Sequence, residues 1–374
     1  MTVRYVDGTS GNDAWDGLSA VWSAGLNGPK KTLNGAEDTP VTPGDLVHVR
    51  SGVYREALQA DVNGTAGNAI EYRGDYAGVI WPGGGVVRIT GSNDDLTATR
   101  ANSIVSGAKH YRTWIGFQLD MCSSFVINQN TGCTNHTIAE CHISVNTTSQ
   151  GAIYLGGAGQ AACTIRDCFI HQEHRGSHGI AFTHTALVDN CGHVIEKCII
   201  TGSPGGTAIS ATRIGGISVR NCVIKSPIIG VNVTAALTPG QTLTVHNCVV
   251  EGCTNAVTAA VLGDLVEDYN SLYNNNSDRA NVAVGAHSVS YPPLFDSRWF
   301  FEMVGGGKLV TPFDLSAWSQ LINVAGAAPP ATDMRGTAVI GAQREFGALE
   351  YDPALLIAGG AGAVRISPHR GGLG

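Results

Sequence analysis

The residues best suited by type to do chemistry form one short polar run that begins at His171 and ends at His178. Imidazoles titrate near neutral pH and bind metals, so a cluster of them predicts an acid–base site or a metal site. His174 and His178 are four residues apart, but the glycine between them favours a loop over a shared helical face. We interpret the run as an ordinary polar loop, with a catalytic or metal site as the alternative. Such a site would draw on three neighbouring cations, Arg166, Lys197 and Arg213.

A repeated pattern surrounds this run and determines where its residues can lie. Five similar segments each centre on one cysteine, and these are Cys141, Cys168, Cys198, Cys222 and Cys248. A second, fainter apolar line follows each segment, at 152–154, 179–181, 208–210, 230–232 and 256–258. The cysteines are separated by 27, 30, 24 and 26 residues. Self-similarity at a period of roughly 20 to 50 residues is typical of stacked repeats, so we expect a solenoid with one repeat per rung.

The cysteine column is expected to point into the core of this solenoid. Equivalent positions on stacked strands lie about 4.8 Å apart, which leaves the Cβ atoms slightly too far apart for an unstrained disulfide. No CxxC pair occurs, which disfavours zinc. We therefore interpret the cysteines as reduced core packing, with a disulfide or metal ladder as the alternative. By the same register Phe117 opens the column and Asn270 extends it.

The residue after each cysteine is expected to face outward, and in four successive rungs it is apolar. These residues are Phe169, Ile199, Val223 and Val249. A strand that faces water should be polar at this position, and an apolar stripe usually marks a covered surface. The stripe predicts an oligomer interface or, as an equal alternative, the seat of a long loop or a C-terminal arm.

Composition limits the classes of function. The chain has 374 residues, of which 14% are charged and 49 are glycines, as suits many short strands joined by turns. The net charge of −7 and the lack of a basic stripe disfavour nucleic acid as a partner. No run of 18 apolar residues occurs, which disfavours a membrane span. The segment after Met1 has neither a basic nor an apolar leader region, so we expect no secretory signal in this form.

Both ends of the chain resemble a known fold family. The opening runs YVDGTSGNDAWDGLS at 5–19 and TPGDLVHVRSGVYRE at 42–56 look like the start of parallel β-helix proteins related to chondroitinase B and alginate lyases. The runs YPPLFD at 291–296, WSQLIN at 318–323 and FGALEY at 346–351 are similar to their closing segments. The resemblance implies a pectate-lyase-like, single-stranded right-handed parallel β-helix. We expect an N-terminal cap with the first strands at 1–60, rungs at 61–280, an irregular closing segment at 281–351 and a C-terminal arm at 352–374.

The resemblance also implies a chemistry, because lyases of this type cleave uronate-containing polysaccharides by β-elimination. That reaction needs a cation or Ca²⁺ at the carboxylate and a base at the C5 proton, so calcium is a candidate cofactor. Lys225 with Arg220 is the pair that best resembles the family's Lys and Arg, although the two do not share a column. Lys197, Arg213, His174 and His178 are further candidates. Solvated turn residues are the alternative interpretation of all of them.

The sequence is compatible with two functions from different classes. We favour a non-catalytic structural or adhesion protein, of which a bacteriophage virion component such as a tail spike, fibre or capsid decoration is the best example. Its partners would be other copies of itself or other virion proteins, with a polysaccharide as a further ligand, and it would act in the virion or outside the cell. The alternative is a polysaccharide lyase.

Overall fold

The computed structural model forms one continuous stack of short strands. It describes residues 1–39, 41–129, 132–145, 150–172, 177–202, 205–225, 228–293, 302–304 and 308–310. The regular elements of these residues are one helix, α1 (Leu33–Asp38), and the strands β1 to β30. The predicted all-β class is therefore confirmed.

The strands before the clear repeats are β1 (Val3–Val6), β2 (Leu46–Val49), β3 (Gly52–Tyr54), β4 (Leu58–Gln59), β5 (Ile70–Gly74), β6 (Val87–Thr90), β7 (Ile104–Val105), β8 (Arg112–Ile115), β9 (Gln118–Asp120) and β10 (Phe125–Gln129). Those of the clear repeats are β11 (Thr137–Ala139), β12 (His142–Val145), β13 (Gly151–Gly156), β14 (Thr164–Arg166), β15 (Phe169–Gln172), β16 (His178–Val188), β17 (His193–Glu196), β18 (Ile199–Gly202), β19 (Thr207–Ile214), β20 (Ile217–Arg220), β21 (Val223–Lys225), β22 (Ile229–Val233), β23 (Leu243–His246), β24 (Val249–Glu251) and β25 (Asn255–Ala259). The last are β26 (Leu265–Asp268), β27 (Ser271–Tyr273), β28 (Ser277–Ala280), β29 (Glu302–Val304) and β30 (Lys308–Val310).

Three parallel sheets run along the stack, because the three strands of each rung go to different sheets. The first sheet has the order β1-β2-β5-β8-β11-β14-β17-β20-β23-β26. The second has the order β3-β6-β9-β12-β15-β18-β21-β24-β27, and the third β4-β7-β10-β13-β16-β19-β22-β25-β28. β29 and β30 form a separate antiparallel pair. The predicted parallel β-helix is confirmed, and its sheets already begin within the predicted cap at 1–60.

One residue with positive φ turns the chain from the first sheet into the second in each clear rung. Its φ lies between 52° and 55° at all five corners, which are Glu140, Asp167, Lys197, Asn221 and Asn247. Residues other than glycine adopt this left-handed conformation at a cost in free energy. The stack must therefore impose the turn, and after it the repeat cysteine points inside.

The cysteine column forms part of the interior. All ten cysteines are free and buried. Each repeat thiol donates to the carbonyl oxygen two residues before it, at 3.2–3.3 Å. Burial raises the pKa of the Cys168 thiol well above its usual value, which keeps the thiol protonated. The structure thus uses the column as core packing, as the repeat pattern predicts.

Both predicted extensions of the column are present. Phe117 is buried in the core, and its carbonyl accepts the amide of His142 in the next rung. Asn270 takes the cysteine position of the following rung and is fully buried. Its Oδ1 accepts the amide of Cys248 at 2.8 Å, and its Nδ2 donates to the carbonyl of Val245 at 2.8 Å. A buried amide with both ends paired replaces a thiol without an unsatisfied group.

A buried ion pair ties α1 to the interior near the N-terminal end. The carboxylate of Glu37 in α1 accepts from the guanidinium of Arg112 in β8, and both side chains are at most 1% exposed. The guanidinium also donates to the carbonyl of Val62 at 3.0 Å and lies 5.5 Å from the ring centroid of Tyr72. A charge this deep is tolerated only while its partner is present.

The last described rungs end in a second buried charge network. Glu267 in β26 points inward and is 2% exposed. Its carboxylate accepts from Arg279 at 2.7 Å, from Asn270 at 2.9 Å and from the amide of Gly285 at 2.8 Å. These bonds lower the pKa of Glu267 although burial opposes them. The network gives the end of the apolar core a polar, hydrogen-bonded surface.

The interior also contains histidines that make few polar contacts. His136, His184 and His193 are 1–2% exposed. The Nδ1 atom of His193 accepts the amide of Cys163 at 3.1 Å, and its ring centroid lies 5.0 Å from that of Phe182. Burial lowers the pKa of His136 and of His193 to about 3, and lowers that of His184. All three imidazoles are therefore neutral in the folded protein at neutral pH.

The predicted apolar stripe is stacked as expected but is not exposed. Phe169, Ile199, Val223 and Val249 pair in register on the second sheet and lie outside the core cluster. Their exposed fractions are only 0–2% in the single chain. The stripe is therefore covered within the single chain. Both predicted roles, an oligomer interface and the seat of a long loop or a C-terminal arm, stay predictions.

The predicted segment boundaries stay predictions. The last strand of the third sheet ends at Ala280. Most of the closing segment 281–351 and all of the arm 352–374 lie outside the described residues. Among the described helices none has the length and hydropathy needed to cross a bilayer.

Breaking the ion pair in Arg112→Met should strongly destabilise the protein, because the carboxylate of Glu37 would stay buried without its partner. We expect a loss of about 3–5 kcal/mol of unfolding free energy, measured by urea denaturation. The matched control is Arg73→Met, which removes the exposed Arg73–Glu71 pair and should cost less than about 1 kcal/mol. Equal effects of the two variants would contradict this assignment.

The buried histidines should make stability depend on pH. The unfolded chain binds protons on these imidazoles below about pH 6.5, whereas folded His136 and His193 do not until about pH 3. Unfolding free energy should therefore fall as the pH decreases through this window, by up to roughly 1.4 kcal/mol per pH unit for each histidine. Denaturant titrations at several pH values across this window measure the unfolding free energy. Its dependence on pH should be shallower for His193→Asn than for the unmodified protein, and the asparagine keeps an acceptor for the amide of Cys163. An unchanged slope would rule out His193 as a contributor.

Candidate functional site

The outward-facing charges are concentrated on the first two sheets. Arg166, Glu196, Arg220 and His246 are stacked in one outer column of the first sheet. On the second sheet, Lys225 pairs with Glu251 at 3.2 Å. These surfaces alternate in sign, as expected of solvated faces with ion pairs between rungs.

The outer face of the third sheet is different, because its central column is uncharged. The column is in register from rung to rung and consists of Val105, Asn128, Tyr154, Ala181, Ser210, Asn232, Thr258 and Ala280. Side chains within it hydrogen-bond along the stack, since the Thr258 hydroxyl donates to Oδ1 of Asn232 at 2.6 Å. We call this surface, with its two flanking columns, the polar face.

The flanking columns of the polar face are also almost free of charge. One consists of Phe125, Gly151, His178, Thr207, Ile229, Asn255 and Ser277. The other includes Thr183, Thr212 and Thr234, and the hydroxyls of Thr212 and Thr234 are 2.6 Å apart. Within the three columns His178 is the one titratable side chain apart from the Tyr154 phenol. Asn128, Tyr154, Asn232 and Thr258 are partly exposed on the polar face, whereas Thr207 and Ser210 are buried.

The local sequence explains why this face forms. In each faint line the two apolar residues point inside, as Ile153, Ile209 and Val231 do in the core cluster. The third residue then faces outward, and it is a tyrosine, serine, asparagine or threonine in four of the five lines. Strand alternation therefore turns a short polar position into a continuous column.

The candidate pair Lys225 and Arg220 is not assembled into one site. Arg220 lies on the first sheet and pairs with Glu196 at 2.8 Å. Lys225 lies on the second sheet, beyond the corner at Asn221, and pairs with Glu251. Each cation already has a carboxylate partner on a neighbouring rung, which is the arrangement of a solvated ion pair.

Lys197 occupies a buried corner and not an accessible position. Its ammonium lies 2.7 Å from the carboxylate of Asp167, which Arg166 also contacts at 2.6 Å. Desolvation raises the pKa of Asp167, and the two cations oppose that effect. Lys197 is 7% exposed, so it stabilises the corner and does not present a base to a ligand.

The remaining candidates lie on the third sheet or outside the described residues. His178 begins β16 on the polar face, and burial lowers its pKa. Arg213 lies near the end of β19, is exposed, and donates to the carbonyl of Thr185 at 3.0 Å. It is six residues beyond Thr207, the partner of His178, which is roughly 20 Å along the strand. His178 and Arg213 therefore cannot act on one bond, and His174 lies outside the described residues.

No group of three or more His, Cys, Asp or Glu residues within the described part of the chain is close enough to hold a metal ion. In the loop at 8–17 polar side chains accept from backbone amides, as Asn12 does from Ala14 and Asp16 does from Leu18. The ammonium of Lys30 donates to the carbonyl of Asp13 at 2.8 Å, so a lysine already supplies the cation in that loop.

A cavity of about 280 Å³ lies beside the last rung of the first sheet. Leu265, Val266 and Val284 make its lining largely apolar. The carboxylates at its edge are engaged, since Glu267 pairs with Arg279 and Asp268 accepts from His287 at 2.9 Å. It therefore offers less to a polar ligand than the polar face does.

Of the polar face only His178 was among the predicted site residues. The faint lines were recognised as repeats, but the central column that their third residues form was not predicted. The available signal was the recurrence of uncharged polar side chains at that position, together with the absence of lysine, arginine, aspartate and glutamate there. Candidates chosen by charge lie instead mainly on the first two sheets, where the cations pair with carboxylates.

Comparisons with known proteins identify the fold. No family model matches the chain, and no curated protein matches it. Among solved structures, a rhamnogalacturonan lyase is 12% identical, with a TM-score of 0.54 over 86% of this chain and 97% of the other. Pectate lyase Pel9A is 15% identical, with a TM-score of 0.49 over 94% and 97% of the chains. An alginate lyase from Paenibacillus sp. is 12% identical, with a TM-score of 0.42 over 69% and 97%. The likeness to the rhamnogalacturonan lyase agrees with the parallel β-helix fold of this chain.

Proposed function

We propose that this protein is a non-catalytic glycan-binding β-helix protein, of the structural or adhesion type, whose binding surface is the polar face. The observation that carries the proposal is the uncharged outer column of the third sheet, from Asn128 to Thr258. Each of the other two sheets carries charged side chains in one of its outer columns, at Arg166 to Arg220 on the first sheet and at Lys225 and Glu251 on the second. A surface that excludes charge but keeps hydrogen-bonding groups suits a ligand rich in hydroxyls.

The geometry of the polar face suits an extended ligand. Rungs repeat about every 4.8 Å, so equivalent side chains form a regular row along the stack. An extended polysaccharide also repeats its hydroxyls regularly, and each can exchange a water hydrogen bond for one to an amide or hydroxyl. Single bonds of this kind contribute only about 0.5–1.5 kcal/mol, so binding over several rungs is needed for useful affinity.

The partner and the location follow from this proposal. A polysaccharide partner places the protein outside the cell or on a particle that meets the cell surface. A bacteriophage virion component, such as a tail spike, fibre or capsid decoration, stays a prediction of the sequence within this class. We also propose that the protein associates with other copies of itself or with other virion proteins, as part of the same structural or adhesion role.

A lyase acting on uronate-containing glycans is the second candidate. His178 favours it, because this half-buried imidazole lies on the polar face and its lowered pKa keeps it in the basic form at neutral pH. The similar solved structures include a rhamnogalacturonan lyase. A uronate also needs a cation, however, and the exposed Arg213 is too far along the strand to share a bond with His178.

Glycan binding should depend on the amides of the polar face. We expect Asn128→Ala/Asn232→Ala to weaken binding about tenfold, because two hydrogen bonds to the ligand are lost. Calorimetric titration with a soluble glucan, a galactan, polygalacturonate and alginate measures the affinities.

The matched control is Thr137→Ala/Thr244→Ala, which removes polar side chains from the outer face of the first sheet on the strands that follow β10 and β22. This variant should bind as the unmodified protein does. Failure of the unmodified protein to bind any of the four glycans would contradict the proposal, as would equal weakening in both double variants.

Lyase activity is tested with polygalacturonate, alginate and rhamnogalacturonan by the ultraviolet absorbance of the unsaturated product. The binding proposal expects no product. Product formation that is lost in His178→Ala but kept in Lys225→Ala would replace the proposal by the lyase and would assign His178 as its base.

A further inference from the structure

A pair of stacked aromatic rings lies on the polar face, one from β10 and one from β13. The ring of Tyr154 stacks on that of Phe125, with 4.6 Å between centroids and 27° between planes. Phe125 is only 5% exposed and forms the floor, whereas Tyr154 is partly exposed above it. The pair therefore presents an aromatic surface at the level of the sheet.

Glycine positions make room for these rings. A Cβ atom at Gly156 would lie 2.0 Å from Cζ of Tyr154 and 2.1 Å from its hydroxyl oxygen. A Cβ atom at Gly151 would lie 2.9 Å from Cε1 of Phe125. The side chain of Gln160 donates to the carbonyl of Gly156 at 2.8 Å and holds the backbone there. Both ends of β13 thus lack side chains where the rings lie.

The described in-register neighbours of Tyr154 are uncharged. In register it is flanked by Asn128 on one rung and by Ala181 on the next. The methyl group of Ala181 cannot cover the ring, and the amide of Asn128 supplies a neutral polar edge. No acidic or basic side chain lies in the column on either side of the ring between Val105 and Ala280.

We propose that Tyr154, supported by Phe125 and accommodated by Gly156, forms a stacking subsite for a neutral pyranose residue of the bound glycan. This inference rests on the proposed function and specifies its ligand class. The C–H face of a pyranose is apolar and packs on an aromatic face, while the ring hydroxyls at its edge need hydrogen-bonding partners. A uronate is disfavoured, because its carboxylate would be desolvated on this surface without a cation.

Titration calorimetry with a soluble neutral glucan and galactan, alongside polygalacturonate, tests the subsite. We expect neutral glycans to bind more tightly than the uronate polymer. Tyr154→Ala should weaken neutral-glycan binding about tenfold, whereas Tyr154→Phe should retain it because the stacking face is kept. Gly156→Ala should also weaken binding, because the new methyl group displaces the ring.

A second measurement uses the unmodified protein and does not depend on how the variants fold. With isotope-labelled tyrosine, the ring resonances of Tyr154, assigned with Tyr154→Phe, should shift on addition of a neutral oligosaccharide. Glycan binding that is lost in Asn128→Ala/Asn232→Ala, but without a Tyr154 shift or an effect of Tyr154→Ala, overturns the subsite and leaves the proposed function intact. Binding confined to polygalacturonate overturns the neutral ligand class. No binding of any glycan overturns the proposed function itself.

Discussion

The structure depends on a constraint at one corner, where a residue with positive φ turns the chain from the first sheet into the second. The turn recurs at Asp167, Lys197 and Asn221, with φ between 52° and 55°. Residues with a Cβ atom enter this conformation only when surrounding interactions compensate for it. Here the hydrogen bonds of the strands on both sides of the corner compensate for the cost of the turn, because a corner without the turn would lose the register of both sheets.

This corner also decides which residues face solvent and which face the core. After the turn the cysteine points inside and the next residue points outside, and the alternation continues along the second-sheet strand. The charges consequently fall on the outer faces of the first two sheets, where they pair between rungs. The third sheet keeps an uncharged outer column, and the difference between these faces is the basis of the glycan-binding proposal.

The repeat was strong enough to predict much of the fold. The inward cysteines, the opening of the column by Phe117 and its extension by Asn270 were all predictable, because identical registers stack identical side chains. The central column of the polar face was not predicted, because the sequence marks it only by the absence of charged residues at one recurring position. Candidates chosen for charge, such as Lys225 and Arg220, proved to lie on different sheets with carboxylate partners of their own.

The sequence by itself determined the parallel stack and the direction of each side chain relative to the core, because strand periodicity and repeat length are local properties of the chain. Only the tertiary structure decided what covers an outward position. Phe169 and Ile199 point away from the core, as the register requires, yet they are buried. Lys197 is likewise a corner residue by sequence but a buried ion-pair partner in the fold. Whether an outward side chain is covered, and which charges pair, depends on contacts with segments that are distant in the chain. No local sequence pattern encodes those contacts.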